Sequence, residues 1–292
     1  MSICQTREAI RRRAAARVVL VPTMGALHDG HAGLIVSARD LAGGDGLVVV
    51  SIFVNPTQFG PKEDFSIYPR TLDADTAICE NAGADIIFSP SAAEMYADDA
   101  SIKITEGLLS RHLCGESRPG HFSGVCTVVA KLFNIVRPDI AVFGKKDRQQ
   151  LAIIQRLTRD LNFPVEIIGI DTVREPDGLA MSSRNRYLDA GQRAAAPRLR
   201  HGLQLAAAAC FHGERAADAL ADIVAASLSP CDCARVDYIE VVDAGTMQPL
   251  ATIDRPAVLA AAVFFGETRL IDNIDLDPTG SFGDIDKSGS SG

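Results

Sequence analysis

The chain has 292 residues, 47% of them hydrophobic, and a formal net charge of −8. That length allows one large or two ordinary domains with a substantial core. The acidic balance argues against nonspecific nucleic-acid binding, which needs a basic face, yet leaves room for a local basic pocket around a nucleotide. Seven cysteines scattered along so long a chain fit a reducing cytoplasm better than a disulfide framework. Cys231 and Cys233 have no second pair of thiols or histidines nearby in sequence to complete a metal site. The run Arg11-Arg12-Arg13 with its alanines lacks the longer apolar core and cleavage site of a secretory signal. The apolar run ending at Pro22 is too short to span a membrane.

In chain order, residues 1 to 16 read as a surface helix. The β-branched run Val18 to Val21 reads as a buried parallel strand that Pro22 ends. Gly25 permits a tight turn, Asp29-Gly30 signals a second, and Leu34, Ile35, Ala38 and Leu41 then recur at helical spacing. His28 and His31 therefore sit where a strand gives way to a helix N-terminus. In a parallel α/β sheet that corner binds ligands, and free N–H groups there favour an anion. Three residues apart, the two imidazoles share one helical face. Capping or loop bonding is the alternative for either histidine alone; the pair, between Gly25 and Gly30, points to function.

Leu47 to Val54 is a second apolar strand, stopped at Asn55-Pro56 and followed by a long loop to Arg70. Asn55 and Gln58 suit hydroxyl and carboxylate groups of a small substrate; turn chemistry is the other reading, stronger for Asn55. Leu72 to Ala82 reads as a helix closed by Gly83, and Asp85 to Phe88 as a short strand. Ser89 to Gly115 is irregular, with a candidate strand at Ile102 to Thr105. Arg118 and His121 precede a helix running through Val125, Val129, Leu132 and Val136; Arg118 suits a bidentate hold on an anion, or a salt bridge.

Asp139 to Phe143 is the next strand, leading into Gly144-Lys145-Lys146-Asp147 and a helix with Leu151, Ile154, Leu157 and Leu161. A glycine and a lysine at such a corner suit a phosphate, although the P-loop spacing is absent. Asp147 reads as an N-cap or a ribose ligand, and Gln150 as facing the same pocket as Gln58 or as an exposed surface residue. After a strand at Val165 to Ile170, Met181-Ser182-Ser183-Arg184-Asn185 offers hydroxyls and a guanidinium for an anion, or a helix cap. Residues 197 to 228 are alanine-rich and helical, broken at Gly213; Arg235 to Val242, Val258 to Phe265 and Leu270-Ile271 read as strands. The expected fold is α/β: a doubly wound, Rossmann-like parallel sheet in residues 1–170, a smaller α+β C-terminal domain in 171–276, and a disordered tail in 277–292.

The decamer Pro22 to His31 carries the His-x-Gly-His signature of nucleotidyltransferases. With Phe53 to Phe59, Tyr68 to Thr71, Arg118 to Phe122, Phe143 to Gln150, Met181 to Asn185 and Arg269 to Asn273, it resembles the pantoate–β-alanine ligase family from about Arg7 to Asn273. That resemblance implies condensation of pantoate with β-alanine using ATP and Mg²⁺, through pantoyl adenylate, with release of AMP and pyrophosphate. It implies an ATP site of Met24, Gly25, Ala26, Leu27, His28, Asp29, Gly30 and His31, of Gly144, Lys145, Lys146 and Asp147, of the Val173 backbone, and of Met181, Ser182, Ser183 and Arg184. His31 is the implied proton donor, with His28 and Lys146 beside it in catalysis. Gln58 and Gln150 would hold pantoate, Gln58 also lying near β-alanine, with Asn55 and Arg118 as further substrate candidates. The metal ligands are not legible. The resemblance further implies a homodimer; the acidic balance, the short apolar runs and the scattered cysteines point to a cytoplasmic chain with no nucleic-acid or membrane partner. A hydrolysis-prone adenylate calls for a lid that excludes water, and the loop after Gln58 and the second domain are its candidates. Three positions depart from many members of the family: Thr57 stands for Met, Lys145 for Glu and Arg148 for an aromatic residue. The rival readings are another adenylate- or cytidylate-forming nucleotidyltransferase and a non-catalytic nucleotide-binding module.

Overall fold

The computed structural model of the protein describes residues 3–12, 17–61 and 63–278, in two compact units. The first comprises the described residues up to Arg174 together with Met181–Ser183, and the second Glu175–Ala180 together with the described residues from Arg184 on. The first unit thus runs past the boundary expected at 170 and reclaims three residues from the following loop. Local bonding accounts for this. Met181 N–H donates to the Val173 carbonyl at 3.0 Å, while Glu175 N–H donates to Leu179 at 2.8 Å, closing the intervening segment on itself.

A five-stranded parallel sheet organises the first unit: β1 (Val18–Thr23), β2 (Leu47–Ile52), β3 (Ile86–Phe88), β4 (Ile140–Gly144) and β5 (Glu166–Ile170). Its order is β3-β2-β1-β4-β5, so the chain reverses direction of travel between β1 and β4. Ligands of such sheets bind at the carboxyl ends of those two strands. Continuous β-branched runs make β1 and β2 what they are: Val19, Leu20 and Val21 are fully buried, as are Val48, Val49 and Val50. Helix α1 spans Ile3–Arg11, α2 Asp29–Ala42 and α3 Leu72–Asn81. The apolar stripe of α2, Ile35 and Ala38, packs with Cys79 of α3 on the sheet face presented by Val19, Val21, Val48 and Val50. After two one-turn helices, α4 (Ala92–Met95) and α5 (Cys114–Ser117), come α6 (His121–Val136) and α7 (Arg148–Asp160). α6 is buried on nearly every side, as its near-continuous apolar sequence dictates, and packs against both α7 and β1.

Two local expectations fail for physical reasons. Pro22 does not end β1; it pairs in register with Ser51, and β1 continues to Thr23. The Thr23 carbonyl accepts from Phe53 of the β2 side and the Val18 carbonyl from Asp139 of the β4 side. Pro22 therefore lacks its N–H on the β4 side, where the ladder stops at Leu20–Ala141 and no donor is required. Ile102 to Thr105 forms no strand. Side chains of α6 take its backbone instead: the Ile104 N–H donates to Thr127 Oγ1 at 3.0 Å and its carbonyl accepts from Ser123 Oγ at 2.9 Å.

The second unit sets α8 (Ala190–Ala195), α9 (Arg198–Phe211) and α10 (Ala217–Leu228) before an antiparallel sheet of β6 (Ala234–Asp243), β7 (Ala257–Phe265) and β8 (Thr268–Leu276), in that order. Gly213, at φ +109°, supplies the break between α9 and α10. Leu199, Leu203, Leu220 and Val224 meet Leu259, Ala261 and Val263 of the central strand in one buried core. The hydrophobic alternation of β6 is loose because register slips between Val236 and Tyr238, turning Asp237 to an ion pair with Arg269 at 2.9 Å. From residue 279 the expected tail lies outside the described residues. Among the described residues, no helix is long and apolar enough to cross a membrane.

Candidate active site

The site begins where β1 ends. Thr23 Oγ1 donates to the Ser51 carbonyl at 2.7 Å and accepts from Gly25 N–H at 3.3 Å. The chain then passes through two positive-φ residues, Gly25 at +81° and Ala26 at +52°. A Cβ at Gly25 would lie 3.0 Å from Asp75 Oδ2 and 3.2 Å from Ile52, so the turn tolerates only glycine there. Asp75, 1% exposed on α3, holds the turn: its carboxylate accepts from the N–H groups of Ala26 at 3.0 Å and Leu27 at 2.8 Å, and from Thr71 Oγ1 at 3.1 Å. The amides of Ala26 and Leu27 are thus committed to the protein, and these residues shape the turn.

His28 is the N-cap of α2. Its Nδ1 accepts from the Gly30 N–H at 3.1 Å, which leaves Nε2 to carry the proton of the neutral ring. A Cβ at Gly30 would lie 2.8 Å from the His28 ring, so this cap depends on glycine as well. The His28 and His31 ring centroids stand 4.2 Å apart at 50°. The Nδ1 atom of His31 is sealed from solvent and has no hydrogen-bond partner. Burial first, then the neighbouring charges of His28 and Lys146, push the His31 pKa down to about 3. His31 is therefore neutral near pH 7, with one ring nitrogen protonated and the other carrying a lone pair.

The β4 corner reaches the same place. Lys146 is close enough to His31 for its charge to depress the imidazole. Lys145 pairs with Asp171 at the end of β5. Asp147, read from sequence as a possible N-cap, flanks α7 without a side-chain cap bond and is exposed. Across α2, a Cβ at Gly30 would lie 3.4 Å from Met181 Cβ, and one at Gly33 3.2 Å from Val173 Cγ2. The Val173–Met181 bridge thus crosses the first turns of α2, with Ser182 and Ser183 next in the same unit. Arg184 belongs to the second unit, in the 3-10 turn Ser183–Tyr187.

A second corner follows β2. Gln58 is 7% exposed; its Oε1 accepts from Asn55 Nδ2 at 3.1 Å and its Nε2 donates to Met24 Sδ at 3.0 Å. His121 Nδ1 lies 2.8 Å from the Gln58 carbonyl. At Gly124 a Cβ would come within 2.4 Å of the Thr57 carbonyl, so only glycine lets α6 approach this turn. Asn55, 1% exposed, has both ends of its amide bonded to the protein, and it is a supporting group where sequence had offered it as a substrate ligand. Arg118 takes the salt bridge that was its alternative reading, bonded to both Glu63 oxygens at 2.8 and 2.6 Å and to His121 Nε2 at 3.1 Å. Burial raises the Glu63 pKa, but the bonds and charge of Arg118, with the Gly60 backbone bond and the nearby His121, together outweigh it and the net shift is downward. Burial, then the Arg118 charge, lowers His121 to about 4. Gln150, half-buried in the first turn of α7, makes no hydrogen bond to Gln58; its neighbour Gln149 instead ties the carbonyls of Leu109 and His112 at 2.7 and 2.8 Å.

The two histidines with lowered pKa values carry a pH consequence. Both are neutral in the fold, while in the unfolded chain they protonate near pH 6.5. Their contribution to stability is present above that pH and is lost as pH falls toward 4 and then 3, because the unfolded state binds more protons there.

A 3-2-1-4-5 parallel sheet with a histidine-capped helix and a lysine corner at its switch point marks a Rossmann-like α/β nucleotide-binding enzyme. The Pantoate-beta-alanine ligase family model matches residues 1–275. The pantothenate synthetase of Akkermansia muciniphila is 55% identical over 259 residues, 89% of this chain and 92% of that protein. That of Thermotoga petrophila is 48% identical over 282 residues, 94% of this chain and all of its own. A crystal structure of pantothenate synthetase from Thermus thermophilus superposes with a TM-score of 0.88 at 42% identity, covering 94% of this chain and 97% of that one. A pantoate-beta-alanine ligase from Francisella tularensis, complexed with beta-gamma ATP and beta-alanine, gives 0.75 at 34% identity, covering 94% and 95%. The chain belongs to the pantoate–β-alanine ligase family.

Proposed function

We propose that this chain joins pantoate to β-alanine through a pantoyl adenylate, consuming ATP and releasing AMP and pyrophosphate. The observation that carries this reading is the sealed, unpartnered Nδ1 of His31 beside a helix N-terminus and Lys146. A buried polar atom without a partner costs stability, and at a strand-to-helix corner beside a lysine a bound ligand accounts for it. In the reaction, a pantoate carboxylate oxygen attacks the α-phosphorus and pyrophosphate leaves. The amine of β-alanine then attacks the acyl carbon, loses a proton, and AMP departs with the carboxylate oxygen. Both steps depend on positioning and on stabilising phosphate charge. His28 and His31 donate N–H groups toward the α-phosphate, and the charge brought by the nucleotide raises the pKa of His31 from its depressed value. Lys146, Ser182 and Ser183 add donors, and Arg184 is carried as a further phosphate ligand. Gln58 holds the hydroxy acid, and Gln150 is retained as its proposed companion.

Magnesium characteristically binds one or two carboxylates plus substrate phosphates. Among the described residues, no three carboxylates, histidines or cysteines cluster as a metal cage. Mg²⁺ enters this reading as part of the MgATP substrate. The cytoplasmic homodimer is carried on the family resemblance.

The test is AMP release from ATP by the purified chain. Steady release that needs both pantoate and β-alanine is expected. Turnover with pantoate and an unrelated nucleophile at the same rate, or none with pantoate, overturns the assignment and favours another adenylate-forming activity.

A further inference from the structure

The Asn55 amide has a unique orientation. Its Oδ1 takes the backbone N–H of Thr57 at 3.3 Å, a group that can only donate. Its Nδ2 faces the Gly124 carbonyl at 3.2 Å, a group that can only accept. Tyr96 Oη, at 2.8 Å, and Thr57 Oγ1, at 2.9 Å, add two more donors to Oδ1. Since Asn55 Nδ2 also reaches Gln58 at 3.1 Å, the Gln58 atom there must be the oxygen. The Gln58 amide has then no freedom to flip, and its NH₂ end is the one beside Met24, the residue that opens the nucleotide turn. A thioether sulfur is a weak acceptor, so this NH₂ keeps most of its hydrogen-bonding capacity for a ligand.

We infer that Asn55, anchored by Tyr96 and Thr57, is a positioning residue that sets the polarity of Gln58, so that Gln58 presents donors only and selects a ligand oxygen with lone pairs, a carboxylate or hydroxyl oxygen of the acid. This deepens the proposed function and rests on it for the identity of the acid. It also gives Thr57 a role: where many family members carry Met, the hydroxyl here supplies an additional donor to the Asn55 oxygen. A misoriented Gln58 would leave its carbonyl facing an acceptor oxygen, and a site built to hydrogen-bond a substrate discriminates strongly when a polar group is left unpaired.

Asn55→Asp tests the relay with nearly unchanged shape. The ionised carboxylate can no longer donate to Gln58, so the Gln58 amide turns its NH₂ inward and its oxygen toward the ligand. The expected result at pH 8 is a KM for pantoate raised at least tenfold with the ATP Kd unchanged within twofold. A pantoate KM that matches the parent, or ATP affinity lost by the same factor, overturns the inference. Polarity is read independently of catalysis and of that variant's folding by NMR on the parent protein. Contacts between the Gln58 side-chain amide protons and the Met24 methyl group are expected, and their absence in a folded sample also overturns it. Failure of the parent to use pantoate while that contact is present would discard the proposed acid and leave the polarity standing.

Discussion

His31→Ala lowers the rate of pantoyl adenylate formation by about 10²–10³, the usual cost of one lost donor at a site of developing charge. Folding is not the cause of that loss, because the removed ring holds a sealed nitrogen with no partner and its pKa is already pushed to about 3. The imidazole makes no hydrogen bond through that atom, so at neutral pH the loss of stability in denaturant is limited to the packing of the ring and the variant stays folded. Rapid-quench measurement of adenylate with pantoate and ATP, omitting β-alanine, isolates the step. A variant that forms adenylate at the parent rate removes His31 from the chemistry. A variant that loses rate and stability together makes it a structural histidine.

Asp75→Ala has the second largest effect, on stability and nucleotide binding together. Two backbone N–H groups and one hydroxyl converge on this buried carboxylate, and it supports a turn with positive φ at Gly25 and Ala26. Hydrogen bonds to a charged acceptor contribute about 1.5–3 kcal/mol each, and unsatisfied buried donors add to the loss. A destabilisation of about 3–5 kcal/mol follows from those values, with at least a tenfold weaker ATP Kd. Asp75→Asn, which keeps one oxygen, falls between. Denaturant unfolding and calorimetry with ATP check both quantities; parent-like stability with parent-like ATP affinity contradicts the role given to Asp75.

The strands and helices that position the site were legible because their signals are local. The apolar runs of β1 and β2 and the Leu34, Ile35, Ala38 spacing of α2 are set by burial on fixed faces. The strand-to-helix corner holding His28 and His31 was legible for the same reason, with Gly25 and Gly30 at the positions where a side chain would collide. What escaped depends on partners remote in sequence. Asp75 looks like an ordinary acidic residue in the first turn of a helix; its role appears only when Ala26 and Leu27, nearly fifty positions earlier, fold against it. Arg118 reads equally as an anion ligand or a salt bridge until Glu63 arrives. Gly124 gives no local signal, since its need for glycine comes from the Thr57 carbonyl of a different segment. Ile102 to Thr105 has the composition of a strand, but α6 side chains take the backbone groups that a sheet would have used.

Pantoate labelled with ¹⁸O in its carboxylate, turned over once with ATP and β-alanine, tests most directly whether this corner activates an acid by adenylation. Attack of the carboxylate on the α-phosphorus, followed by acyl transfer to the amine, places one labelled oxygen in each AMP, with none in pyrophosphate. Unlabelled AMP, with the label retained in the amide product or released to water, would contradict it.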